Sequence, residues 1–162
     1  MPTRLGKTLW PASAVRHAPK EVEKESPSLA ADFNEAVAVL PASKKASAAL
    51  SRRCLQAMLK QKACTTTRDL ADQIEEVVHK LPSEIALNID AVRNIGNFAA
   101  HPLKSKSTGE ITDVEENEAE WLLDVLEELF DHYYVAPARA KEKRDSLNRK
   151  LQDIGKPPMK QP

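Results

Sequence analysis

Glycine is scarce in this chain of 162 residues: Gly6, Gly96, Gly109 and Gly155 are the four. None belongs to a cluster that could cradle a phosphate, which excludes P-loop and dinucleotide-binding readings. Aromatic residues number seven and β-branched runs are few, so a sheet has little to build from. Cys54 and Cys64 stand ten apart. That spacing fits neither a zinc knuckle nor a redox pair, and no close His completes a ligand set. They read as two reduced thiols, with Cys54 packed as a small apolar residue, and a reducing cytoplasm is the expected setting. No stretch approaches the roughly 18 apolar residues of a membrane span. The first 15 residues lack the apolar core of a signal peptide and carry Pro2 and Pro11. Nor is there a net charge, with 24 Lys and Arg against 24 Asp and Glu, so the whole chain exerts no long-range pull on nucleic acid or acidic membrane.

What the chain does have is Ala, Leu, Glu and Lys in helical rhythm. Residues 1–26 show no hydrophobic periodicity and are expected to form an extended N-terminal arm with Trp10 as its one large apolar anchor. Ser26-Pro27 is an N-cap followed by proline at the first helical position. Leu29, Phe33, Ala36, Val37 and Leu40 then repeat until Pro41. A second helix is predicted over 43–62, capped by Ser43, with Ala46, Ala49, Leu50, Cys54, Ala57 and Met58 on its core stripe. A third covers 68–80 behind Thr66 or Thr67, and a fourth covers 83–100, stopped by His101-Pro102. Thr112-Asp113-Val114-Glu115 reads as a capping box for a fifth helix, which runs to Tyr134 and is broken by Pro137. The architecture expected is all-α, an antiparallel four- to five-helix bundle over 27–136. Residues 137–162 form a basic tail in which Leu147, Leu151 and Ile154 suit a short amphipathic helix.

The neutral total hides segregation. Residues 42–68 hold seven Lys and Arg and no acid, and 110–131 hold ten Asp and Glu and no Lys or Arg. Residues 136–162 hold eight Lys and Arg against three acids. Two accounts stand open. The basic second helix is a phosphate-facing surface, or the acidic fifth helix neutralises it within the bundle or across a dimer. No aromatics interleave with the cations, which speaks against a stacking platform for single strands.

The densest chemistry is Arg93-Asn94-Ile95-Gly96-Asn97-Phe98-Ala99-Ala100-His101. Arg93, Asn97 and His101 are four apart and line one helical edge, with Arg93 and His101 about 12 Å apart along the axis. Side chains lean toward the helix N-terminus, so His101 reaches Asn97 while Arg93 points away from both. Gly96 inside a helix costs about 1 kcal/mol relative to Ala, a sign of close packing there. Two readings stay open. Asn97 and His101 satisfy helix-end carbonyls, or His101 is a general acid/base with Arg93 as charge stabiliser. No signal for a metal or a cofactor accompanies them.

Asp32-Phe33-Asn34-Glu35-Ala36 and Ala46-Ser47-Ala48-Ala49-Leu50-Ser51-Arg52-Arg53-Cys54-Leu55-Gln56 open a longer pattern. It continues through Leu70-Ala71-Asp72-Gln73-Ile74, Arg93 to Pro102 and Glu118-Ala119-Glu120-Trp121. Over about residues 27–136 this pattern resembles the bacterial domain-of-unknown-function family 4145. That family is similar to a branch of the HEPN (higher eukaryotes and prokaryotes nucleotide-binding) superfamily. The resemblance implies a helical bundle, a homodimer and a partner that is RNA, a nucleotide or another protein. It also implies a setting in bacterial defence or toxin–antitoxin systems, where many superfamily members are metal-independent endoribonucleases. Their motif is an Arg, often followed by Asn, with a His four to six residues beyond. Asn97 and His101 match it, while Gly96 stands where the Arg belongs. Arg93, Arg52 or Arg53 would have to substitute. The RNA-binding residues expected are Arg52, Arg53, Lys60 and Lys104, and the alternative is a non-catalytic interaction module or accessory subunit.

Overall fold

A computed structural model describes residues 16–100 and 116–160, with side-chain surroundings for 16–93 and 117–160. In chain order the helices are α1 (Lys20–Glu25), α2 (Pro27–Val39), α3 (Lys44–Lys62), α4 (Leu70–Val77), α5 (Ser83–Ala100), α6 (Glu116–Phe130) and α7 (Ala136–Asp153). A 3-10 turn (Val78–Lys80) follows α4, and a π-helical turn (Asp131–Val135) joins α6 to α7. The described residues are helical with no strand, as the rhythm of the sequence predicts. None of their helices is long and apolar enough to cross a membrane.

Helix α3 is the central element, packing most extensively on α2 and then on α6. Its start is set by Ser43, whose Oγ accepts a hydrogen bond from the Ala46 N–H at 3.1 Å. Its buried stripe changes size along its length, from Ser47, Ala48 and Ser51 to Cys54, Leu55, Met58 and Leu59. The small end lets neighbouring helices approach closely, and the large end fills the core. Phe33 of α2 meets Phe130 of α6 edge to face at 5.2 Å, and Phe130 meets Tyr134 at 6.1 Å. Ile74, Val77, Ile89, Val92, Leu123 and Leu126 complete the core from α4, α5 and α6.

Two local readings of the sequence are corrected first. The segment before residue 27 is helical from Lys20, with Val22 wholly buried. One buried apolar residue in a six-residue helix is too little periodicity to register, and packing on α2 stabilises what propensity alone does not. Trp10 and the capping box at 112–115 lie outside the described residues. Ser26 does occupy the N-cap of α2, yet its hydroxyl makes no cap bond and instead donates to Gln61 Oε1 at 2.6 Å.

The largest correction concerns Pro137, which does not end the helix. Within the π turn the Ala136 N–H reaches back five residues to the Asp131 carbonyl. The widened turn places Pro137 in the first turn of α7, where a missing N–H is tolerated. Helices α6 and α7 are therefore one continuous helical path of about 57 Å. What was expected as a tail with a short helix is an 18-residue helix with no buried residue. It ends in a Schellman motif. Gly155 takes φ +73°, its N–H donates to the Gln152 carbonyl, and the Lys156 N–H donates to the Leu151 carbonyl.

Cys64, after α3, also has a left-handed backbone, with φ +54°, and its side chain is exposed. Cys64→Gly is therefore expected to stabilise the protein by about 1 kcal/mol, read as a higher midpoint in urea. Cys54 is buried, and burial pushes its thiol up to about 12. A thiol reagent at neutral pH should label Cys64 in the native protein and reach Cys54 only on unfolding. Phe33→Ala should cost about 3–5 kcal/mol in the same urea measurement.

Candidate functional site

The cations of α3 have different surroundings. Arg53 turns toward α2 and holds Asp32 with a two-pronged contact, Nε to Oδ2 at 3.1 Å and Nη2 to Oδ1 at 2.6 Å. The hydrogen bond and charge of Asp32 raise the Arg53 guanidinium above its ordinary value. Lys62 pairs with Glu25 of α1 and lies 4.2 Å over the Tyr134 ring. Both residues fasten neighbouring elements to α3.

Arg52, Gln56 and Lys60 follow one another at four-residue steps of α3, each about one turn from the next. Arg52 is half-buried and no carboxylate pairs with it among the described residues. Burial lowers the Arg52 guanidinium from its ordinary value, although arginine keeps its charge in any physiological buffer. Gln56 Nε2 donates to the Arg68 carbonyl at 2.7 Å, which draws the loop after α3 against this helix. Lys60 and Arg68 are exposed. Arg52 and Lys60 thus flank Gln56 along α3, and Gln56 holds the backbone of Arg68.

The loop that delivers Arg68 is built with care. Glu76 of α4 accepts the Thr66 N–H at 3.1 Å, the Thr67 N–H at 3.0 Å and the Thr67 hydroxyl at 2.6 Å. These bonds, led by the Thr67 hydroxyl, hold the Glu76 carboxyl below the usual carboxylate range. The wholly buried Gln73 donates from Nε2 to the Thr67 carbonyl at 2.9 Å. Thr66 and Thr67 stand before α4 as expected. Their role is to bind a carboxylate two turns along that helix, while Asp69 takes the N-cap position.

Arg93 points elsewhere. It pairs with Glu75 of α4 and lies 2.9 Å from Asp90 Oδ1 on its own helix, so it clamps α5 to α4. Gly96 and Asn97 lie within α5, and the side chain of Asn97, like His101 and Lys104 altogether, lies outside the described surroundings. Of the residues expected at a site, the structure commits Arg53 and Arg93 to ion pairs, whereas Arg52 and Lys60, two turns apart on α3, have none among the described residues. Gln56 and Arg68 were not picked out from sequence. The i, i+4 spacing of Arg52, Gln56 and Lys60 was the available signal for Gln56, whereas only the folded loop reveals Arg68. No group of three or more His, Cys, Asp or Glu that could hold a metal is found among the described residues.

Fold and surface together define a small all-helical domain with a central basic helix. The chain belongs to a family known as Domain of unknown function (DUF4145), whose model matches residues 34–150. That match continues through most of α7, beyond the boundary at 136 expected from sequence. Neither the curated proteins nor the solved structures include a significant match.

The pairs through which Arg93 clamps α5 to α4 are partly exposed and contribute modestly. Glu75→Gln should lower stability by no more than about 1 kcal/mol, measured by urea denaturation.

Proposed function

We propose that this chain is an HEPN-like helical domain that binds RNA through its phosphate backbone without cleaving it. The observation that carries this reading is Arg52, a half-buried guanidinium with no carboxylate partner among the described residues. A cation desolvated without a counter-ion is a costly arrangement, and an incoming phosphate offsets that cost through charge-assisted hydrogen bonds. Arginine's planar donor fork suits phosphate oxygens. Lys60 and Arg68 extend the positive surface on either side of Gln56, whose amide is already occupied by the Arg68 carbonyl. The face can therefore track a backbone, and α3 itself carries no aromatic residue on which to read bases.

Binding is favoured over cleavage by two further observations. Gly96 occupies the position of the superfamily's catalytic Arg. Arg93, the nearest substitute on the same helix, is neutralised by Glu75 and Asp90. A general acid/base at His101 would then act without the cation that stabilises charge on the reacting phosphate.

Fluorescence anisotropy with a labelled single-stranded RNA tests the reading. The wild type should bind with an affinity that falls with salt, and Arg52→Ala and Lys60→Ala should each reduce the slope of log K against log salt by about 0.7. Arg53→Ala should leave that slope unchanged. Absence of binding at low salt would overturn the proposal. A parallel incubation of labelled RNA in chelator with wild type and His101→Ala should show equal, background degradation. Faster loss with wild type would establish cleavage instead.

A further inference from the structure

The continuous α6–α7 path divides sharply by charge. From Glu116 to Asp131 it carries seven acids and no Lys or Arg, whereas Ala136–Asp153 carries six Lys and Arg against three acids. The helix macrodipole favours acids only in the first turn. It does not account for Asp124, Glu127, Glu128 and Asp131, which lie in the middle of this path. Glu120 with Asp124, Asp124 with Glu128, and Glu127 with Asp131 are i, i+4 pairs of like charge, an arrangement that disfavours the helix in isolation.

The protein's own cations answer part of this. Arg16 pairs with Asp124 and lies near Glu127, and Asn88 Nδ2 donates to Glu128 Oε2 at 2.9 Å. Among the described residues, the side chains of Glu120 and Asp131 have no partner, nor do those of Arg139, Lys143 and Lys150. Helix α7 itself is uncovered: no residue on it is buried, Leu147 is 44 % exposed, and Ile154 just beyond its end is 66 % exposed. Arg139, Lys143, Leu147, Lys150 and Ile154 recur at the three- and four-residue steps of one helical stripe. On the acidic half, Glu120, Asp124, Glu127 and Asp131 do the same.

We propose that α6–α7 is a self-association surface, on which a second copy of this chain docks antiparallel about a two-fold axis near Val135. Each acidic half then lies along the partner's basic half. In that register Asp131 stands opposite position 139 of the second copy, Glu127 opposite 143 and Glu120 opposite 150, and all three facing positions are basic. A parallel pair would set acid on acid and base on base. The interface is isologous and closed, which limits it to a dimer. It uses a different surface from the RNA contact proposed above and does not depend on it.

Sedimentation velocity on the full chain tests this with charge reversal. The wild type should dimerise at micromolar concentration in 50 mM salt, and its Kd should rise at least about tenfold in 500 mM salt. One variant carries Glu120→Lys, Glu127→Lys and Asp131→Lys, and a second carries Arg139→Glu, Lys143→Glu and Lys150→Glu. Each alone should be monomeric, because like-charged halves would face each other. Mixed in equal amounts they should form a heterodimer, since every facing pair is again opposite. Far-ultraviolet circular dichroism and a urea midpoint confirm that each variant is folded. A wild type that stays monomeric at low salt overturns the proposal. So does a dimer that both variants retain, or a folded mixture that fails to pair.

Discussion

Burial of the α3 stripe is the constraint on which the other elements depend. Cys54, Leu55, Met58 and Leu59 have almost no exposure, and each must be covered from outside its own helix. Helix α2 covers one side and α6 another, and Phe33 and Phe130 meet edge to face where those two covers approach. With α3 enclosed in this way, its polar residues are forced onto narrow outward faces. That is why Arg52 and Arg53, adjacent in sequence and about 100° apart on the helix, have different surroundings. Arg53 lands beside Asp32 and becomes a fastening. Arg52 lands one turn from Gln56 and pairs with no carboxylate among the described residues.

The same enclosure explains how α4 enters. A short helix of eight residues has little to hold it, and the structure compensates at its start. Glu76 gathers the Thr66 and Thr67 N–H groups, Gln73 holds the Thr67 carbonyl, and Arg93 ties the far side through Glu75. Polar contacts here position a loop whose carbonyl at Arg68 meets α3. The candidate RNA surface is thus a consequence of how α4 is anchored, and its cations sit on a supported backbone.

Much of the fold was legible in the sequence because period and punctuation agree there. Helices α2, α3 and α5 fall close to the predicted spans, since Pro27, Ser43 and Pro82 mark their starts and apolar residues repeat every three or four positions between them. The rule that proline ends a helix failed at Pro137 because a π turn shifts the hydrogen-bond register just before it. Helix α1 escaped notice because it is six residues long with Val22 as its one buried residue. The site was less legible. Arg93 looked chemically active from its spacing with Asn97 and His101, and no pattern along the chain announced that Glu75 would arrive from α4.

By itself the sequence determined the helical class, the segregation of charge and the family membership that its motifs signal. These are properties of composition and spacing, which local backbone physics translates directly into helix faces. Tertiary structure alone decided which cations are spent on ion pairs and which remain available, and whether α6 ends at Tyr134 or continues into α7. Such questions turn on contacts between residues far apart in the chain, and periodicity carries no information about which faces meet. The neutral total of charges is the clearest instance: the count was fixed by composition, but only the fold shows Arg53 and Arg93 matched by carboxylates while Arg52 has none among the described residues.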